Sequence, residues 1–222
     1  MKNFGKALKL YLKVSFNPLL TLFGAVIIVG IMIAAVHEPE VPESDEYMSM
    51  ISAVSFGQIG ILIFFLIGST SAVRSKFFAS LPCSKLLFTV VPTAVTAALT
   101  LIYNSIVIAV AALCWEEQAL ADILIAAPVN SFIICLAVSV LGKPGLEALY
   151  AIPVLILATE QLVLPNISAT KHGFGLPLIP SAVIGVMIFA AGTAAVLAVL
   201  NIWWRRCDHI RRSDINYTPL NR

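Results

Sequence analysis

Six long apolar runs, parted by short polar or charged segments, organise the chain; they cover residues 18–36, 48–70, 86–113, 120–141, 146–164 and 178–204. Each is close to or above the ~20 helical residues needed to cross a hydrocarbon core of ~30 Å. The stretch Ile61-Leu62-Ile63-Phe64-Phe65-Leu66-Ile67 is apolar on every face, unlike the alternating strands of a membrane barrel. Backbone amides in lipid must be paired within their own segment, so the runs are expected to be helices. A different periodicity precedes them. On a wheel of ~100° per residue, Lys2, Lys6, Lys9 and Lys13 fall within about 60° of one another. Phe4, Ala7, Leu8, Tyr11 and Val14 occupy the other side. This predicts an all-α polytopic membrane protein with six transmembrane helices preceded by an amphipathic interfacial helix.

Charge gives the predicted topology a direction. Lys2, Lys6, Lys9, Lys13, Arg74, Lys76, Lys85, Lys143, Arg205, Arg206, Arg211, Arg212 and Arg222 fall on one side of a six-span arrangement, and Lys171 alone on the other. The positive-inside rule then makes both termini cytoplasmic and the protein a multi-pass component of the cell membrane. The outer loops are expected to hold the acids Glu38, Glu40, Glu43, Asp45, Glu46, Glu116, Glu117 and Asp122. Composition agrees: 59% of residues are hydrophobic and only 12% charged, against about 25% charged in soluble domains. Disorder, nucleic-acid binding and a disulfide-stapled secreted domain are disfavoured. The whole of residues 1–222 reads as one transmembrane domain, with residues 1–17 as the interfacial helix and 205–222 as a cytoplasmic tail. A cleaved signal peptide is the competing reading of the N-terminal region. The first apolar run is long for one, and Ala34-Ala35-Val36-His37 is a poor cleavage context.

The N-terminal helix lies along the inner surface with lysines toward water and anionic headgroups, or serves simply as a positive topology anchor. The inner loop from Val73 to Lys85 mixes Arg74, Lys76 and Lys85 with Phe77, Phe78 and Leu81. A short amphipathic helix ending near Leu81-Pro82, with a restart capped by Ser84, accounts for that mixture. Its aromatics require cover from headgroups or from a protein partner. The turn Gly142-Lys143-Pro144-Gly145 is too tight for a docking element, and residues 165–176 read as a plain outer loop, a gate or a re-entrant turn.

Few residues carry chemistry. No G-x-x-x-x-G-K-[ST] is present, so nucleotide hydrolysis by a P-loop is not expected in this chain. Cys83, Cys114, Cys135 and Cys207 are scattered without a C-x-x-C, and His37, His172 and His209 lack ligand spacing, so no metal site is predicted. Neither H-E-x-x-H nor G-x-S-x-G occurs, and with Asp122 assigned to a loop the spans hold no His or Asp; no catalytic residues are predicted. Gln58, Asn104, Asn130 and Glu160 lie inside apolar runs, where they either hydrogen-bond between helices or line a pathway. Gly57 and Gly60, with Gly68-Ser69-Thr70-Ser71, are expected to let helices approach closely.

The amphipathic start, six spans, cytoplasmic termini and the segment Ser80-Leu81-Pro82-Cys83-Ser84-Lys85 together resemble the membrane subunit of a type-2 ABC exporter. Small bacterial permeases of that family carry a similar Leu-Pro-x-Ser-Lys/Arg segment in the corresponding loop. The resemblance implies that Arg74 to Lys85 is a coupling element seated on a separate ATP-binding subunit, which holds the ATP and Mg. Phe77, Phe78, Leu81 and Pro82 would supply contact there, and Arg74 and Lys76 orientation. It also implies a second permease chain, in a homo- or heterodimer, and export of a hydrophobic or amphipathic substrate. At the opening of the third span Thr89-Val90-Val91-Pro92 departs from the basic-aromatic pair expected of the family. A non-transporting membrane subunit (immunity, sensor or assembly factor) and an autonomous carrier or channel are the alternatives.

Overall fold

A computed structural model describes residues 2–15, 18–37, 57–58, 81–140, 143, 146, 149, 151–152, 155 and 174–206. Among these all the regular secondary structure is helical. The elements are α1 (Lys2–Ser15), α2 (Pro18–His37), α3 (Ser84–Phe88), α4 (Val90–Cys114), α5 (Glu117–Val140) and α6 (Leu178–Arg206). Three of them, α4, α5 and α6, are long and apolar enough to cross a membrane. α2 is a further helix of 20 mostly apolar residues, with Leu19, Leu22, Phe23, Val26 and Ile33 exposed. It opens on Pro18, whose fixed φ and missing N–H suit a first helical position. The predicted second span lies outside the described residues except for Gly57 and Gln58, and the fifth except for Leu146, Leu149, Ala151, Ile152 and Leu155.

The third predicted span is divided by its own sequence. Pro92 has no N–H to return to the Phe88 carbonyl, and the chain breaks at Thr89 between α3 and α4. The Thr89 hydroxyl donates to the Lys85 carbonyl at 2.6 Å, which ties the break to the preceding turn. Ser84 is the first residue of α3 and not its cap; Cys83 stands at the N-cap position without a side-chain cap bond.

Trp115 and Glu116 alone join α4 to α5, so the two pack as an antiparallel pair. Trp115 is extended (φ −118°, ψ 162°), and its N–H donates to the Ala111 carbonyl at 2.9 Å. Glu117 in the first turn of α5 complements the helix dipole. Asp122 is part of this helix and is buried. The expectation that it belongs to an outer loop is therefore corrected: the helix begins five residues earlier than Asp122 because Glu117 and Gln118 favour its first turn.

α5 is the central element, enclosed along most of its length, while α6 turns most of its surface outward. Gly185 of α6 lies beside Leu124 and Pro128, Gly192 beside Phe132, and Val196 and Leu200 pack with Cys135, Leu136 and Val140. Both numberings rise together, so α5 and α6 run in the same direction. α1 also has a protein-facing side. Ala7 and Tyr11 are buried with Leu87, Phe88 and Val91, whereas Lys6, Lys9 and Lys13 are exposed. Burial pushes the Tyr11 phenol up to about 12 against the opposing effect of a Ser15 hydrogen bond, so it stays neutral.

Candidate functional site

α4 and Thr89 at its N-cap position carry a stripe of small polar side chains at Thr89, Thr93, Thr96 and Thr100, all buried. Spacings of four, three and four place them on one helical face, and Tyr103, Asn104, Val107 and Ala111 continue it. In a membrane, lipid chains are as apolar as leucine, so helices associate through close packing and hydrogen bonds instead of hydrophobicity. A threonine suits such a face because its hydroxyl can bond back to its own helix. Thr93 donates to the Thr89 carbonyl at 3.1 Å and Thr100 to the Thr96 carbonyl at 3.0 Å. Thr93 also meets the Ser139 hydroxyl of α5 at 3.0 Å.

The stripe leads to a buried polar clasp. The Gln58 amide Nε2 donates to Asn104 Oδ1 at 2.5 Å and to the Ala127 carbonyl at 3.3 Å. Asn104 Nδ2 donates to the Ser131 hydroxyl at 2.8 Å, and that hydroxyl donates to the same Ala127 carbonyl, also at 2.8 Å. Three chain segments are thereby joined by neutral donors and acceptors. Asn130 is buried on the neighbouring position of α5. The cluster can orient helices or bind a hydrogen-bonding group, but it has no titratable member to carry a proton. Among the described residues no three His, Cys, Asp or Glu side chains gather as metal ligands.

The clasp makes a measurable demand. Asn104→Leu takes an acceptor from Gln58 Nε2 and a donor from the Ser131 hydroxyl in an apolar setting, whereas Gln58→Leu with Asn104→Leu removes both amides. The double variant should therefore lose less stability than the two single losses added, with a coupling of about 0.5–2 kcal/mol in detergent unfolding. Strict additivity would show that the two amides do not interact.

Pro128 interrupts the hydrogen-bond ladder of α5 two residues before Asn130. Its ring nitrogen cannot serve the Leu124 carbonyl, which faces α6 at Gly185. A Cβ on Gly185 would come within 2.0 Å of that oxygen and 3.2 Å of the Pro128 ring, and one on Gly192 within 2.6 Å of the Phe132 ring. These two glycines set the α5–α6 approach. Of the glycines expected to do so, Gly57 is buried, while Gly60 and Gly68 lie outside the described residues.

The two ends of the bundle hold the ionisable groups. At one end, Asp122 Oδ1 accepts the Phe174 backbone N–H at 2.9 Å and a longer 3.5 Å bond from Gln118. This bond ties the segment entering α6 to α5, just before Gly175 turns the chain with φ +62°. At the other end Lys143 is wholly buried in the turn after α5. Its ammonium donates to the Ser139 carbonyl and lies 5.8 Å from the Trp203 ring centre. Desolvation pulls it down to about 7 from 10.5. Phe88 of α3 stacks at a tilt on Trp204, with ring centres 6.1 Å apart.

No family model, curated protein or solved structure matches this chain. Of the side chains singled out in the sequence, Gln58 and Asn104 meet directly, and Asn130 sits beside them on α5. Leu81 is half-buried and Pro82 exposed in the turn before α3, where the Leu81 carbonyl accepts the Ser84 N–H at 3.0 Å. Arg74, Lys76, Phe77, Phe78 and Glu160 lie outside the described residues. Asp122, Lys143, Ser131 and the threonine stripe are site residues that the sequence reading does not single out. The four-three-four threonine spacing, and a proline two residues from an asparagine in an apolar run, were the available signals.

Proposed function

We propose that the chain is the membrane permease subunit of an ATP-driven exporter of the type-2 ABC kind. In this reading it moves a hydrophobic or amphipathic substrate out of the cell. A separate subunit hydrolyses ATP with Mg, and two permease chains, identical or paired, enclose the path. The observation that carries the reading is the packing of α1, through Ala7 and Tyr11, on the cluster formed by α3 and the start of α4. α3 begins at Ser84, within the end of the Arg74–Lys85 segment, so a push delivered there reaches α1, α4 and, through Phe88 and Trp204, α6. The parallel course of α5 and α6 supports the six-span count, because the chain must return between residues 140 and 178 to start α6 at the far end. Both termini are then cytoplasmic, as the charge distribution requires.

A non-transporting membrane subunit is favoured by one specific observation. Gln58, Asn104, Asn130 and Ser131 are closed off from solvent, with Gln58, Asn104 and Ser131 bonded to one another. Two substitutions separate the readings. Phe77→Asp and Leu81→Asp are expected to abolish both co-purification of an ATP-binding subunit from native membranes and ATP-dependent efflux. Loss of binding with efflux retained removes the coupling assignment. A bound ATPase with no transport in reconstituted vesicles favours the second reading.

A further inference from the structure

Six cations from distant parts of the sequence meet at one end of the fold. Lys6, Lys9 and Lys13 are exposed on α1, Lys85 on α3, and Arg205 and Arg206 on the last turn of α6. One apolar cluster holds these helices together, with Ala7, Tyr11, Leu87 and Phe88 buried and Trp203 and Trp204 packed against them. Burial of Ala7 and Tyr11 sets the roll of α1, which turns its lysines away from the protein. Among the described residues no acid is interspersed here, and residues 1–37, 71–115 and 161–207 contain neither Asp nor Glu. Beyond Arg206, Asp208 and Asp214 are outnumbered by Arg211, Arg212 and Arg222.

Exposed apolar groups accompany these cations on the same helices, Leu12 flanking the lysine face of α1 and Phe4 beside Tyr11 on its other side. Phe4 and Leu12 of α1 are 38% and 43% exposed, and the indoles of Trp203 and Trp204 are only partly covered. Cations accompanied by exposed apolar and indole groups match the boundary between headgroups and acyl chains. Phosphates there meet the charges, and the apolar groups enter the first few ångströms of hydrocarbon. An acidic protein surface would satisfy the lysines and leave Phe4 and Leu12 in water. Only two residues separate α1 from the apolar α2, which keeps the surface at the bilayer.

We propose that the corner formed by α1, α3 and the end of α6 is a binding site for anionic phospholipid headgroups. The site goes beyond the transport reading and is independent of it, since it requires only that the chain sits in a bilayer. The full chain in bilayers containing spin-labelled phosphatidylglycerol or phosphatidylcholine provides the test. Each cation near a membrane surface contributes about a fivefold preference for anionic lipid. The variant with Lys6→Gln, Lys9→Gln and Lys13→Gln together should lower the phosphatidylglycerol-to-phosphatidylcholine association ratio by about tenfold or more. About 0.5 M salt should have a similar effect on the unaltered chain. Arg205→Gln with Arg206→Gln should lower the ratio as well, since α6 contributes to the same corner. A ratio unchanged by the lysine variant overturns the proposal. So does full displacement of labelled phosphatidylglycerol by excess inorganic phosphate, which would show a free-anion site. Protection of the α1 lysines from acetylation by a bound protein, but not by phosphatidylglycerol, overturns it in favour of a protein dock.

Discussion

Gly185→Ala should loosen the pairing of α5 with α6 and cost about 1–3 kcal/mol, the usual penalty for one methyl too many in a packed interface. The new Cβ would stand 2.0 Å from the Leu124 carbonyl oxygen, a backbone atom that no rotamer change can move aside. Relief requires α6 to shift away from α5, and the shift is transmitted to Gly192 on Phe132 and to Val196 and Leu200. Gly185→Leu should prevent a stable fold. Gly30→Ala is the matched control: it lies in another apolar helix and has nothing within 4 Å of its added Cβ. There alanine should be neutral or slightly stabilising through helix propensity. Thermal unfolding in detergent measures both. Equal melting temperatures for the two variants would show that the close approach of α5 and α6 is not what holds them.

Lys143→Met should raise stability at neutral pH and flatten its pH dependence. Lys143 is enclosed beside Trp203, and among the described residues no acidic side chain pairs with it. Burial brings its folded-state value down to about 7, while an unfolded chain keeps the ordinary 10.5. Between those values the unfolded state binds more protons than the folded one, so stability rises with pH across that window. The slope is at most about 1.4 kcal/mol per pH unit. Below about pH 7 both states carry the proton and the full cost of a buried ammonium remains. Methionine keeps the stem length and removes the charge, so its profile should be level where the lysine profile climbs. Lys143→Gln, which keeps a donor for the Ser139 carbonyl, separates charge from hydrogen bonding. Parallel profiles for lysine and methionine between pH 7 and 10 would contradict this account.

The clasp was half legible beforehand. Gln58 and Asn104 stand out because an amide is costly in hydrocarbon and must find a partner or water. Their pairing with each other, and the contribution of Ser131, depend on α4 and α5 packing in one register with residue 58 between them. Asp122 illustrates the opposite error. An acid near a run boundary reads as a loop residue, yet the fold buries it in α5 and supplies the Phe174 N–H from 52 positions away. The sequence marks Lys143 only as one cation in a tight turn. It is buried, and α6 brings the Trp203 ring centre within 5.8 Å of its ammonium, which no local pattern announces.

Hydropathy, helix period and the sorting of charge suffice to specify apolar helices in a membrane and an N-terminal helix with a lysine face, since each depends on short stretches meeting a uniform solvent. Tertiary structure alone decided which apolar faces are covered by protein and which meet lipid. Leucine is as comfortable against lipid as against another helix, so apolarity carries no record of its neighbour. That choice falls to contacts that discriminate: Gly185 against the Leu124 carbonyl, Thr93 against Ser139, Asn104 between Gln58 and Ser131, and Tyr11 on the face of α1 opposite its lysines.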